Sequence, residues 1–326
     1  MRIGLDIGGT KTDAVAVDAT GAIVRRLRLP TGWGPDAVIR TLLKAVRTLG
    51  AEAAAHGPIE SVGIGIPGQV EPGTSRVVHA VNLGVEELDL VAAVGPRLGV
   101  AVRVENDVKA AAFGAYALQT VSSGSALGAS GSMAYLNLGT GVAAGIVADG
   151  ELWRGVRGTA GEVGHISIDP HGPLCRCGQR GCIEAFAGGG AIAERWGRNG
   201  PIAERWGRSG ALPVRDVFDA ADSGEPIARD LRAGLARGVA AAVRILVLTA
   251  DVDVVVLGGG VSGLGARLLT DVSAELAASA EASPFMRSLR LERRVQLLPA
   301  GSPAAALGAA LVGAPRAGAE GTRAHG

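Results

Sequence analysis

The chain has 326 residues, with 32 Lys plus Arg against 31 Asp plus Glu, a net charge of +1 with His neutral. That balance gives neither the basic footprint of a nucleic-acid binder nor a polybasic membrane patch. Hydrophobic residues at 48 % and charged residues at 19 % exclude a disordered chain, and the length favours two domains over one stretched core.

The N-terminal residues Met1 to Asp6 enter a strand pattern directly, without the basic start, apolar stretch and cleavage site of a signal peptide. Strands are expected over 2–8, 12–18 and 22–28, with turns at Gly8-Gly9 and Thr20-Gly21. Pro35 to Leu49 reads as a helix with Val38, Leu42, Val46 and Leu49 on one face. Ser61 to Ile66 reads as a buried strand stopped by Pro67-Gly68. A helix is expected over Glu86 to Leu98, a strand over Val100 to Val104 and a helix over Asp107 to Ala117. The Ser/Gly/Ala-rich run 120–131 reads as a linker. Strands follow at Met133 to Leu138 and Val142 to Ala148, joined through Gly139-Thr140-Gly141, so strand, glycine turn and strand occur twice and suggest two domains of similar construction. Beyond residue 185 the pattern is mostly helical, with strands at Val252 to Leu257 and Val295 to Leu298 and a short helix from Pro303 to Leu311. The apolar stretch Gly238 to Ala250 contains Arg244 and reads as a buried helix; no uncharged run reaches the roughly 18 residues of a membrane span. A cytoplasmic protein is expected. The decamer 191–200 is repeated almost identically at 201–210 and reads as a lengthened surface helix and loop, too few copies for a solenoid. Residues 314–326 read as a frayed tail.

Glycine is abundant, at 51 residues, and lysine is confined to Lys11, Lys44 and Lys109. Genome composition alone can produce that bias, so glycines matter only where a backbone must do something. Asp6-Ile7-Gly8-Gly9-Thr10-Lys11 lies between two strands: bare backbone at Gly8 and Gly9 and the Thr10 hydroxyl can approach phosphate oxygens, and Asp6 can hold Mg²⁺ directly or through water. An ordinary Gly-Gly hairpin is the alternative. Leu138-Gly139-Thr140-Gly141 repeats the device, and Gly258-Gly259-Gly260 follows a buried strand. None of the three is a dinucleotide fingerprint or a Walker loop, and together they point to a nucleotide held between two halves. Glu105-Asn106-Asp107 lies where a strand meets a helix. Asp107 there can act as a general base and Asn106 can bind a sugar hydroxyl, or both can simply cap the helix. All three cysteines lie within residues 175–182, and Cys175, Cys177 and Cys182 with His165 match a closed structural Cys₃His zinc site. Core cysteines or a nucleophilic cysteine are the alternatives.

In combination and order these segments resemble the ROK family (repressors, open reading frames and sugar kinases), of the bacterial glucokinase type. The likeness covers about residues 1–313 and includes Asp6 to Lys11, Gly65-Ile66-Pro67-Gly68, Glu105-Asn106-Asp107, Leu138 to Gly141, Gly158 to His165, the Cys175, Cys177 and Cys182 spacing, and Gly258 to Gly260. The resemblance implies an α/β, two-lobed actin/hexokinase-like ATPase fold with a ribonuclease H-like core in each lobe and a cleft between them. The small lobe would take 1–117, completed by a C-terminal helix at about 300–313, and the large lobe 118–299. It further implies ATP-dependent phosphorylation of a hexose 6-hydroxyl, with glucose as the first expectation. Asp107 would be the base, and Gly68, Asn82, Asn106, Asp107, Glu162, His165 and Glu184 would be sugar contacts. Asp6, Gly8, Gly9, Thr10, Lys11, Gly139, Thr140, Gly141, Gly258, Gly259 and Gly260 would line the nucleotide and its Mg²⁺, with zinc on His165, Cys175, Cys177 and Cys182. An amino-sugar kinase acting on N-acetylglucosamine, N-acetylmannosamine or a free amino hexose is the alternative; polyphosphate as donor and a non-catalytic sugar-sensing regulator rank lower. The phosphate strand begins at residue 3, so the DNA-binding extension of such regulators is not expected. A homodimer or higher homo-oligomer is expected from the family.

Overall fold

The computed structural model describes residues 1–71, 73–121, 131–199, 214–281 and 283–314. The chain divides into two compact units. One comprises Met1–Ser122, Arg154–Thr159 and the residues from Pro303; the other comprises Ser123–Trp153 and Ala160–Ser302. Most of the 120–131 linker, the second decamer and all but the first residue of the 314–326 tail lie outside the described residues.

The first unit opens with β1 (Arg2–Ile7), β2 (Lys11–Val17) and β3 (Ile23–Pro30). Helix α1 (Pro35–Glu52) follows, with Pro35 in its first turn and Val38, Leu42, Ala45, Val46 and Leu49 buried along one face. Then come β4 (Ser61–Ile66), the short strands β5 (Gln69–Val70), β6 (Arg76–Ala80) and β7 (Val85–Asp89), helix α2 (Leu90–Leu98), β8 (Ala101–Asn106) and helix α3 (Asp107–Val121). The main sheet has the order β3-β2-β1-β4-β8, antiparallel up to β1 and parallel from β1 to β8. The expected helix from Glu86 begins instead at Leu90. Asp89 accepts the Ala92 N–H at 3.0 Å as its cap, and the residues before it pair as β7 with β6, with Arg76 reaching Glu87 at 2.7 Å. Acidic residues that resemble a helix start are here exposed positions of a short strand.

The C-terminal helix, Ala304–Gly313, lies on this sheet and against α3. Its seat is made of missing side chains: a Cβ at Gly63 would run into the Ala309 carbonyl, and one at Gly114 into the Ala304 carbonyl. Main chain therefore meets main chain, which only glycine permits at this separation.

The second unit repeats the plan. Strands β9 (Met133–Leu138), β10 (Val142–Ala148) and β11 (Glu151–Trp153) are antiparallel, and β12 (Val254–Gly258) and β13 (Val295–Leu297) add in parallel, giving the order β11-β10-β9-β12-β13. Helices α4 (Ile183–Ala187), α5 (Gly189–Asn199), α6 (Val214–Asp222), α7 (Pro226–Ala250), α8 (Ala266–Glu281) and α9 (Pro284–Leu289) complete it. Helix α7 is long and apolar enough to cross a membrane by composition, yet Leu231, Leu235, Val239, Val243 and Leu246 are buried in this unit's core. The first decamer is not a surface loop. It forms most of α5, and Ile192 and Trp196, each 1 % exposed, enter the same core.

Candidate active site

Parallel pairing in the first unit lines up segments that are far apart in sequence. Asp6 on β1 is opposite Gly65 on β4, and Gly65 is opposite Glu105 on β8, so the Gly8-Gly9 turn, the Pro67-Gly68 turn and Asp107 all follow strand ends on one edge of the sheet. Carboxyl ends of parallel strands are where α/β sheets present ligand sites.

Asn106 occupies the junction of β8 and α3 and uses its whole amide. Its Oδ1 accepts the N–H groups of Val108 at 3.0 Å and Lys109 at 3.2 Å, capping the helix. Its Nδ2 donates to the Gly68 carbonyl and to Asp107 Oδ1, both at 3.1 Å. Two acceptor sites and two donors exhaust a carboxamide. Asn106 therefore caps α3 in this structure. Asp107 Oδ1 also accepts its neighbour's N–H, from Val108 at 2.9 Å, so one carboxylate oxygen is fixed from two sides.

Asp6 is half-buried, and burial, then Asp107 and Asp13, push its carboxyl up to about 7, with Lys11 pulling the other way. A carboxyl raised by neighbouring carboxylates in this way is one whose charge a hard cation would relieve. In the turn itself, Gly8 and Gly9 keep ordinary φ values. The Gly8 N–H is consumed by the Lys11 carbonyl at 2.9 Å. A Cβ at Gly9 would stand 2.9 Å from the Asn82 carbonyl oxygen, so this glycine is where the Asn82 turn meets the turn after β1. Thr10 and Lys11 are exposed.

In the second unit Gly258 is opposite Asn137, so the turns Gly139–Gly141 and Gly258–Gly260 also leave neighbouring parallel strands. The N–H groups of Gly189 and Gly190 at the start of α5 donate to the carbonyls of Gly139 and Thr140, both at 2.9 Å. Glu184 Oε2 accepts the Val142 N–H at 2.9 Å, behind Gly141. The glycine run has a packing reason of its own: a Cβ on Gly258 would collide with the Tyr135 ring, and Gly259 has φ +83.

Glu162 is exposed and precedes the short turn Val163–His165. Beyond it, His165, Cys175, Cys177 and Cys182 present ligand atoms all within 4.8 Å of one another. Cys177 Sγ is 3.6 Å from Cys182 Sγ, and His165 Nδ1 is 3.9 Å from Cys175 Sγ. A tetrahedron of zinc–sulfur bonds has edges of about 3.8 Å, so the set fits a zinc-type ion, with the Nδ1 edge of the imidazole turned to the sulfurs. Cys175 and Cys182 are buried, and burial pushes both thiols up; Cys177 is exposed, and the Gln179 N–H pulls it down. Three thiols so placed ionise together only beside a cation.

Sequence reading missed three features here. Buried Glu105 receives Arg154 Nε at 2.6 Å. His79 in β6 has φ +57, a region costly for residues other than glycine. Trp33 is 71 % exposed and packs on Gly84. Only the φ-permissive Gly84 was a signal within the sequence, and its meaning needed the ring beside it.

The model of the ROK family matches residues 2–313. A glucokinase of Streptomyces coelicolor is 34 % identical over 285 residues, covering 83 % of this chain and 86 % of that protein. An N-acetylmannosamine kinase of Salmonella newport is 33 % identical over 295 residues, covering 89 % and 92 %. The crystal structure of a ROK family glucokinase from Streptomyces griseus in complex with glucose and AMPPNP superposes with a TM-score of 0.72 at 29 % identity, covering 96 % of this chain and 98 % of that one. The fold is the expected actin/hexokinase-like α/β architecture.

Proposed function

Because the chain belongs to the ROK family, we propose that it is an ATP-dependent kinase of the 6-hydroxyl of a hexose, with glucose as the first substrate to test. The observation that carries this reading is Asp107, set at the start of α3 with Oδ1 held by the Asn106 amide and the Val108 N–H. In the proposed reaction the Asp107 carboxylate takes the proton of the 6-hydroxyl as its oxygen attacks the γ-phosphorus in line. The bond from phosphorus to the β–γ bridging oxygen breaks, and ADP leaves. Gly68, Asn82, Glu162, His165 and Glu184 are the proposed sugar contacts, and Asn106 becomes a positioning residue. Asp6, Gly8 to Lys11, Gly139 to Gly141 and Gly258 to Gly260 remain the proposed nucleotide segments. Mg²⁺ held through Asp6 would neutralise charge on the transferred phosphoryl group. Zinc on His165, Cys175, Cys177 and Cys182 would pin the loop that carries Glu162 and Glu184.

The second reading is an amino-sugar kinase. It is favoured by the N-acetylmannosamine kinase relatives, which match at 33 % identity beside 34 % for the glucokinase. A coupled ADP-release screen over glucose, mannose, fructose, N-acetylglucosamine, N-acetylmannosamine and free amino hexoses separates the two. Turnover on none of them refutes the kinase reading. With the best sugar, Asp107→Asn lowers kcat by about 10²–10⁴-fold without altering the folded state; normal turnover in that variant removes the general-base assignment.

A further inference from the structure

Resting on that sugar-kinase reading, we propose that the indole of Trp33 is a wall of the sugar site and contributes directly to hexose affinity. Trp33 is 71 % exposed, in a chain with 3 % aromatic residues. An indole is normally spent on burial, and although a single exposed apolar residue is ordinary, this one is distinguished by where it is held.

Trp33 is held from both sides. On one side Thr31, itself buried, donates its hydroxyl to the Gly8 carbonyl at 2.7 Å and its N–H to the Thr10 carbonyl at 3.2 Å, so the loop is tied to the phosphate turn. The Thr12 hydroxyl meets the Thr31 hydroxyl at 2.9 Å, and Thr41 donates to the Thr31 carbonyl at 2.9 Å. On the other side the Gly34 N–H donates to the Leu83 carbonyl at 2.8 Å, tying the loop to the turn that carries Asn82. The ring then lies on Gly84: a Cβ there would stand 2.5 Å from both Nε1 and Cε2 of the indole. Gly9 closes the figure by abutting the Asn82 carbonyl.

The exposed indole is thus fixed between the segment proposed for phosphate and the residue proposed for a sugar hydroxyl. A pyranose presents hydroxyls at its edge and C–H bonds on its faces. Asn82 suits the edge and an aromatic plane suits a face, the usual division of labour in small-molecule sites. The ring already rests against Gly84 without a ligand, which reduces the ordering that binding must impose on it.

The test is steady-state kinetics on wild type, Trp33→Ala and Trp33→Phe, with the hexose that turns over best. Trp33→Ala raises the sugar KM about tenfold while kcat stays within about twofold and the ATP KM does not move; Trp33→Phe keeps most of the affinity. Sugar added without ATP changes the tryptophan emission of wild type, and Trp33→Phe abolishes that change. Removing an exposed ring opens no core cavity, and thermal unfolding of each variant checks that the fold is kept. An unchanged sugar KM in Trp33→Ala overturns the proposal. A rise confined to the ATP KM overturns it too, by placing the ring against the nucleotide. A wild type inactive on every hexose overturns the kinase reading and this inference together, whereas an active wild type with an indifferent Trp33→Ala overturns this inference alone.

Discussion

Asn106 offers the sharpest test, because its four hydrogen bonds divide into two jobs. Replacing it with Ala removes the acceptor of the Val108 and Lys109 N–H groups, a lost helix cap of about 1 kcal/mol. It also strands the part-buried Gly68 carbonyl, for about another 1 kcal/mol. Asn106→Ala is therefore about 2 kcal/mol less stable than wild type. Serine is as good a cap as asparagine, but its hydroxyl is too short to replace the amide that reaches Gly68 and Asp107. Asn106→Ser then loses only about 1 kcal/mol. Both variants release Asp107 Oδ1 from one of its two tethers, and a base misplaced by a fraction of an ångström costs about 10–100-fold in rate. Urea unfolding measures the first effect, and kcat and KM for the best sugar measure the second. Equal loss of kcat in the two variants, with unequal loss of stability and an unmoved KM, is the expected outcome. A sugar KM that rises while kcat holds would show that Asn106 touches the substrate, and the positioning argument would fail.

Two further outcomes follow from the site. The purified protein carries about one zinc per chain, and Cys182→Ser loses it and melts at a lower temperature; a metal-free wild type with an unchanged melting temperature contradicts this. Asp6 is raised from 3.8 to about 7, so between those values the native state keeps a proton that the unfolded chain has released. The stability that this group contributes is whole below 3.8 and is lost as pH rises through about 7. In magnesium-free buffer, Asp6→Asn gains stability relative to wild type as pH rises across that window, read as urea midpoints at several pH values; parallel curves for the two proteins exclude the effect.

What could be read from the sequence was what depends on neighbours in the chain. The strands of the two main sheets other than β11, together with α1 and the glycine turns, follow from local alternation, helical spacing and turn chemistry. The same local logic failed where a distant partner decides. Glu86 and Glu87 suggest a helix start until Arg76 on β6 claims Glu87. Trp196 sits in a polar repeat, yet its face of α5 is core. Gly258 has a packing reason that its neighbours in the chain do not disclose, the Tyr135 ring beside it. Asn106 reads as either cap or sugar ligand, and its bond to Gly68, 38 residues earlier in the chain, is visible only in the fold. The Cys₃His cluster was legible because its spacing in sequence and its closeness in space coincide.

The glycine-lined seat of the C-terminal helix also governs the order of events on the ribosome. The first unit is begun by residues up to Ser122 but lacks this helix until Pro303 and its successors emerge. The intervening stretch of about 180 residues takes roughly 10–40 s to synthesise. Through that interval β1, β4 and α3 present a bare strip of backbone and small side chains with nothing laid across it, while the second unit, nearly contiguous in sequence, can close first. A nascent chain paused before Pro303 thus carries a first unit still lacking its last helix and a second unit whose residues have all emerged, and that strip is where a chaperone would have most to protect.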